Sequence, residues 1–123
     1  MDTIAVRVPA SPQYLQVIRL IAAGLASRLG FTIDDIEDLK IAVDELTAYL
    51  TGRSGREGTL EISFRVHGDR IEISGTGIFG SAIEIRTELS DFSRQILETV
   101  ADSASLQHTD GSPHFHLVKS KRS

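Results

Sequence analysis

The sequence predicts an α+β fold, a two-layer sandwich with helices on one face of a mixed, mostly antiparallel β-sheet. Five segments alternate apolar and polar residues, as half-buried strands do, and three others carry apolar residues at helical spacing. Their order is strand, helix, helix, hairpin, helix, hairpin, and hairpins make antiparallel neighbours. The length of 123 residues fits one domain, which we expect to span residues 1–123.

A strand and a helix are expected first. Residues 3–8 alternate in polarity and end at Pro9, which predicts a strand. Ser11 before Pro12 predicts a helix start, because proline at the first helical position loses no hydrogen bond. Helical spacing continues to Gly30, which we expect to cap the helix.

The second helix is the most informative stretch. Thr32 with Asp35 resembles a capping box. Apolar residues then recur three and four apart, which predicts a core-facing side: Ile36, Leu39, Val43, Leu46 and Leu50. Glu45 and Tyr49 are four apart on another face and lie one above the other. We expect the helix to present this pair to a ligand or partner.

The second half of the chain predicts two hairpins and a helix. The hairpin strands are residues 59–66 with 70–74 and residues 104–108 with 114–118. The intervening run GTGIFG predicts a flexible turn. A helix over residues 91–101 is expected to pack through Phe92, Ile96, Leu97 and Val100. The basic residues Lys119, Lys121 and Arg122 predict a solvated ending.

Composition excludes several classes of protein. A net charge of −4 provides no broad footprint for nucleic acid. The absence of cysteine excludes disulfides and thiolate metal sites and suits a reducing compartment. No apolar run reaches the roughly 18 residues of a membrane span, and the N-terminus lacks a signal pattern. We therefore expect a cytoplasmic protein that binds neither nucleic acid nor membrane.

Two short motifs give weak signals. Gly75-x-Gly77-x-x-Gly80 spells the dinucleotide fingerprint, but that motif needs a helix starting at the glycines, and no helix start is predicted there. His114 and His116 share one face of a strand, but two imidazoles without a third ligand do not make a metal site. No nucleophile elbow is present. We therefore expect no metal site and no hydrolase triad.

Glu45 has two interpretations. A carboxylate on a rigid helix can act as a general base for a water or a hydroxyl group. Alternatively it is a surface acid, or an acid that pairs with Lys40 or Arg19. Helix physics alone favours the second interpretation.

The element order, with the segments VIRLIAAGLASRLG and EDLKIAVDEL, resembles the RsbW-type anti-sigma-factor serine kinases. These are small members of the GHKL superfamily of ATP-binding proteins. The resemblance covers almost the whole chain in element order, and EDLKIAVDEL is its most specific part. It implies a Bergerat-type fold, a homodimer, a sigma factor held away from RNA polymerase, and an anti-anti-sigma protein with a STAS domain as phosphoryl acceptor.

The resemblance assigns site residues unevenly. Glu45 matches the family's presumed base for the phosphoryl acceptor. Tyr49 stands where the family has a magnesium-ligating asparagine, and tyrosine is a poor magnesium ligand. Ile73 replaces the aspartate that accepts the adenine amino group, although Gly75 and Gly77 of that box are retained.

Three further positions follow from the resemblance. Residues 91–94 fall at the third ATP box without its glycines, and Asp91 would place a carboxylate near the triphosphate. Ser112 after Gly111 replaces the family's final threonine. Arg19 matches an arginine of the first helix that contacts the sigma factor and the antagonist.

These departures lead to one hypothesis and two alternatives. The first is an anti-sigma factor that sequesters a sigma factor and binds ATP weakly or not at all, so that no cofactor is expected. The second is an active serine kinase that uses ATP and Mg²⁺ to phosphorylate a STAS-domain protein. A third keeps the partner switch without kinase chemistry.

Overall fold

The computed structural model describes residues 2–80 and 85–122. Its elements are β1 (Asp2–Pro9), a short 3₁₀ helix (Pro12–Tyr14), α1 (Leu15–Arg28), α2 (Ile33–Thr51), β2 (Gly58–His67), β3 (Arg70–Phe79), α3 (Asp91–Val100), β4 (Ser103–Thr109) and β5 (Ser112–Ser120). Residues 81–84, where the sequence predicts no helix start, lie outside the described part. No described helix is long and apolar enough to cross a membrane.

The five strands form one sheet in the order β1-β2-β3-β5-β4. Every pairing between the described strands is antiparallel, because β5 returns between β3 and β4 and so separates the two strands that run in the same direction. The three α-helices pack on one face of this sheet. The predicted α+β class is therefore confirmed, and among the described strands the sheet is wholly antiparallel where the prediction had a mixed, mostly antiparallel one.

The helix boundaries follow the capping residues. Thr32 precedes α2, and its Oγ1 accepts a hydrogen bond from the Asp35 N–H at 3.1 Å. Ser90 precedes α3 and accepts from the Ser93 N–H at 3.1 Å in the same way. At the end of α1, Gly30 has a φ of +81°, a conformation that glycine adopts without strain. The two hydrogen bonds satisfy amides at the starts of α2 and α3, and Gly30 redirects the chain where the helical hydrogen bonds of α1 stop.

One hydrophobic core lies between α2 and the sheet. The predicted side of α2 buries Leu39, Val43, Leu46 and Leu50 completely. The sheet contributes inward-facing residues from its central strands: Leu60, Ile62, Phe64, Ile71, Ile73, Phe115 and Leu117. Full burial of such a side chain is worth about 1.5–3 kcal/mol, so this packing fixes the rotation of α2 about its axis. That rotation decides where Glu45 and Tyr49 lie.

The run GTGIFG is not a turn, because β3 continues through it to Phe79. A Cβ on Gly75 would lie 2.2 Å from Cε2 of Phe115, and a Cβ on Gly77 would lie 2.6 Å from Cε2 of Phe79. The two glycines therefore make room for aromatic rings that pack across the strand. Their place inside a strand also removes the dinucleotide interpretation, which requires a strand-to-helix turn.

Lys119 in the basic ending is buried, contrary to the predicted solvated ending, whereas the Arg122 side chain is 63% exposed. Lys119 is 3% exposed, and its Nζ lies 3.6 Å from Oδ1 of Asp35 and 3.7 Å from Oδ2 of Asp38. Arg122 adds an Nε to Asp35 Oδ1 contact of 3.0 Å. Buried charges persist when they are paired, and here the pairs join the first turn of α2 to the end of β5.

Phe92 also departs from the expected packing of α3. It is 72% exposed, whereas Leu97 and Val100 are buried. The buried side of α3 is centred on Ser93, Leu97 and Val100, so Phe92 lies beyond its edge. Helical spacing alone predicted the buried side of α3 correctly in the second half of the helix but not in its first turn.

Candidate functional site

Glu45 and Tyr49 meet the first turn of α3. The Tyr49 hydroxyl donates a hydrogen bond to Oγ of Ser93 at 2.9 Å, and the Ser93 hydroxyl donates to Oε2 of Glu45 at 2.6 Å. The backbone N–H of Ser90 donates to the Tyr49 phenol oxygen at 3.0 Å. We call these four residues, Glu45, Tyr49, Ser90 and Ser93, the α2–α3 network.

Ser93 is the centre of the network. Its side chain is buried, with 4% of the residue exposed. The hydroxyl accepts from Tyr49, lies 3.0 Å from the Ser90 hydroxyl, and donates to Glu45. A serine hydroxyl offers one donor and two acceptor positions, so these three contacts use its full capacity. The network is therefore a satisfied polar cluster, which strengthens each of its members.

The network changes the acidity of Tyr49. Partial burial raises the pKa of the phenol, but the hydrogen bonds of Ser93 and Ser90 lower it by more in total, and the Glu45 charge raises it slightly. The pKa of Tyr49 therefore lies below the ordinary value of 10.0. The Ser90 N–H donates to the phenol oxygen, and the Ser93 hydroxyl, which accepts from the neutral phenol, can turn to donate to the phenolate, so both groups stabilise the anion.

Glu45 pairs with neither of the cations considered from the sequence. Nε of Arg19 lies 2.8 Å from Oδ1 of Asp44, the residue before Glu45, and Lys40 pairs with Glu37. The interpretation of Glu45 as an acid paired with Lys40 or Arg19 is therefore wrong. The angular step of about 100° between consecutive helical residues explains it, since Asp44 faces α1 and Glu45 faces α3.

The other residues expected at the nucleotide site form no hydrogen bond with the α2–α3 network in the described part of the chain. Ile73 is fully buried on the inward side of β3, beside Gly75 and Gly77. Ser112 begins β5 after a turn in which Asp110 and Gly111 both have positive φ. Among the described side chains, no hydrogen bond links any of these residues to Glu45 or Tyr49.

The open face of the sheet carries the histidine pair. Nδ1 of His114 lies 2.8 Å from Oγ1 of Thr76, and Nε2 of His116 lies 3.7 Å from a carboxylate oxygen of Glu72. Within residues 2–80 and 85–122, no three His, Cys, Asp or Glu side chains could hold a metal ion. Burial lowers the pKa of His114, and the neighbouring His116 lowers it further. These histidines lie beside a shallow depression of about 760 Å³.

Sequence reasoning missed Ser90 and Ser93. Both precede or open a helix, and a serine three residues before another is a recognisable capping arrangement. That signal predicts the bond from the Ser93 N–H to Ser90, but it does not predict contacts 41 and 44 residues away in the chain, to Tyr49. Those contacts depend on how α3 packs against α2.

Comparison with known proteins gives a consistent result. Serine-protein kinase RsbW of Bacillus subtilis strain 168 is 45% identical over 75 residues, which cover 58% of this chain and 47% of that protein. Serine-protein kinase RsbW of Bacillus cereus strain Q1 is 30% identical over 128 aligned positions, which cover 89% of this chain and 80% of that protein. The chain spans about half the length of the B. subtilis relative and of two others like it. No protein-family model matches the chain.

A solved structure shows the same fold. The crystal structure of the RsbU and RsbW domains of Rv1364c from Mycobacterium tuberculosis superposes with a TM-score of 0.69 over 98% of this chain and 33% of that one. At 16% sequence identity this likeness concerns the fold alone. It supports the Bergerat-type, GHKL-like architecture expected from the sequence. Together with the B. cereus relative, which the chain covers over most of its length, these findings show that the chain belongs to the RsbW family of serine-protein kinases.

Proposed function

We propose that the chain is an anti-sigma factor that binds an RNA polymerase sigma factor and sequesters it in a partner-switching system, and that it binds ATP weakly or not at all. The observation that carries the second part is the contact of Tyr49 with the start of α3. The Ser90 N–H, at the helix end where the family holds phosphate, donates to the tyrosine instead. A side chain of the chain itself therefore takes a donor that an anion would need.

The side chains present fit Mg-ATP poorly, which supports the proposal. Magnesium requires compact, near-octahedral oxygen coordination, and the Tyr49 phenol is neutral, bulky and already hydrogen-bonded. Ile73 is fully buried and offers no acceptor to an adenine amino group. Asp91 adds a carboxylate to the first turn of α3, where it repels phosphate.

Titration calorimetry tests the nucleotide part. We expect no heat of ATP binding in the presence of Mg²⁺ at protein concentrations of about 100 μM, which corresponds to a dissociation constant in the millimolar range or weaker. Micromolar ATP affinity would remove this part of the proposal.

Arg19 and the outer side of α1 support the binding of a partner protein. Leu20 is 64% exposed, and Val17 and Ile41, on the same pair of helices, are also exposed. Arg19 uses Nε for Asp44, and no other described acid pairs with it. An arginine beside exposed apolar side chains suits a protein interface. Arginine is enriched at interfaces, and its planar guanidinium can engage a carboxylate of the partner at two points.

Capture from the native cell tests the partner surface. The tagged chain should retain a sigma factor, identified by mass spectrometry, and Arg19→Glu should reduce that yield at least tenfold. Arg28→Glu makes the same charge change at the other end of α1 and should leave the yield unchanged. The double variant Arg19→Glu with Asp44→Arg re-forms the ion pair between α1 and α2 with its charges exchanged. If this variant captured the sigma factor again, Arg19 would stabilise the chain and would not contact the sigma factor.

A second function is favoured by one observation. The Ser93 hydroxyl oxygen lies 2.6 Å from Oε2 of Glu45, and a general base takes a proton from a hydroxyl at such a distance. An active kinase would use Mg-ATP and Glu45 to phosphorylate a serine of a STAS-domain protein. Phosphate transfer to such a protein, abolished by Glu45→Gln, would establish this alternative in place of the first.

The remaining parts of the proposal follow from the family. A STAS-domain anti-anti-sigma protein is the partner that releases the sigma factor, the chain forms a homodimer in the cytoplasm, and residues 1–123 act as one domain. If the switch works without kinase chemistry, the STAS-domain protein displaces the sigma factor equally well with and without ATP. Sedimentation equilibrium of the purified chain tests the dimer.

A further inference from the structure

The contact between Ser93 and Glu45 has the geometry of an acceptor bound to its base. The O–H···O distance of 2.6 Å lies in the range of about 2.5–2.7 Å found for hydroxyls that donate to carboxylates. In a serine kinase the substrate hydroxyl occupies this position beside the general base. Here the hydroxyl belongs to α3 of the same chain.

Ser93 is held in that position from several sides. Its N–H donates to Oγ of Ser90, which fixes the first turn of α3. Leu97 and Val100 bury the following turns of the same helix in the hydrophobic core. The hydroxyl therefore reaches Glu45 without any further ordering of the chain, so the entropic cost of this hydrogen bond is low.

We propose that Ser93 is an internal occupant of the acceptor position at Glu45, and that the α2–α3 network is a lock that denies this carboxylate to serines of other proteins. The inference rests on the proposed function in one respect, namely that Glu45 is the family's base. An incoming serine hydroxyl must displace one that is already bound, buried and attached to the same domain. Intramolecular groups reach effective concentrations far above those of a free partner, so the displacement is unfavourable.

The lock explains why the network has four members. Tyr49 and the Ser90 hydroxyl both face Oγ of Ser93, which leaves the proton of Ser93 directed at Glu45. The replacement of the family asparagine by Tyr49 thus has a structural role in this chain. Its long side chain reaches from α2 to the start of α3, a span that asparagine is too short to cover in the same way.

Carboxylate labelling tests the lock directly. A carbodiimide with an amine modifies accessible carboxylates, and mass spectrometry reports the rate at Glu45. We expect Ser93→Ala to label Glu45 about tenfold faster than the wild type, because one charged hydrogen bond is lost. Ser105→Ala makes the same substitution at an exposed position of β4 and should have no effect. Ser93→Thr keeps the hydroxyl and should label slowly.

Tyrosine absorbance gives an independent readout. The chain has two tyrosines and no tryptophan, so a Tyr14→Phe background isolates the alkaline titration of Tyr49. Ser93→Ala should shift this titration to higher pH, and Glu45→Gln should shift it to lower pH, because Ser93 lowers and Glu45 raises the pKa of Tyr49. If Ser93→Ala failed to fold, the Glu45→Gln result would still test the connection.

Two outcomes would overturn the lock. One is an unchanged labelling rate in Ser93→Ala together with unchanged Tyr49 titrations in both variants. The other is phosphate on Ser93 after incubation with Mg-ATP, because Ser93 would then be a reacting hydroxyl. Neither outcome affects sigma-factor capture through Arg19, so failure of the lock and failure of the anti-sigma proposal are separable.

Discussion

Gly75→Ala tests whether the glycines of β3 serve packing. A Cβ at this position would lie 2.2 Å from Cε2 and 2.6 Å from Cζ of Phe115, and 2.9 Å from Cδ1 of Ile62. Carbon atoms pack at about 3.5–4.0 Å, so the ring must retreat by about 1 Å or more. Phe115 is fully buried, and a packed interior offers no space for such a shift.

The expected cost follows from these contacts. Overpacking a core typically costs about 1–3 kcal/mol, and three atoms at under 3.0 Å place this position at the upper end. Alanine also restricts the unfolded chain, which returns about 0.4–1 kcal/mol. We expect Gly75→Ala to lower the free energy of unfolding by about 2 kcal/mol, measured by urea denaturation.

Matched variants make the result decisive. Gly24→Ala lies in α1 with no atom within 4 Å of its Cβ, and it should stabilise the chain by about 0.5–1 kcal/mol. Phe115→Leu removes the ring atoms that clash, so the double variant with Gly75→Ala should lose less than the sum of the two single variants. Wild-type stability of Gly75→Ala, or strict additivity in the double variant, would refute the packing explanation.

Two further predictions concern the buried charges and the open face of the sheet. Lys119→Met leaves the buried Asp35 with one partner fewer and should lower the free energy of unfolding by about 3 kcal/mol, measured by urea denaturation. Lys121→Met removes a lysine outside these ion pairs and should be nearly neutral. Equal effects of the two substitutions would count against a stabilising role of the Lys119–Asp35 pair. His114 has a lowered pKa in the folded chain, so the unfolded chain takes up the proton first and stability should fall as the pH drops below 6.5. His114→Gln should flatten this slope, and an unchanged slope would refute the assignment.

The sequence determined the elements that depend on local chemistry. The Thr32 cap, the apolar side of α2 and the glycine at the end of α1 follow from spacing and from the backbone preferences of single residues. The resemblance in EDLKIAVDEL led to the family, which the relatives show. These signals are contiguous in the chain, and for that reason they can be read without the fold.

Only the tertiary structure decided which side chains meet. Ser93 reaches Glu45 across 48 residues of chain, and Lys119 lies against Asp35 although the sequence around it indicated a solvated ending. Phe115 on the neighbouring strand β5 requires a glycine at position 75, whereas the run GTGIFG by itself suggested a turn. Each contact depends on strand register and helix rotation, which are fixed by the burial of the whole core and not by any short segment.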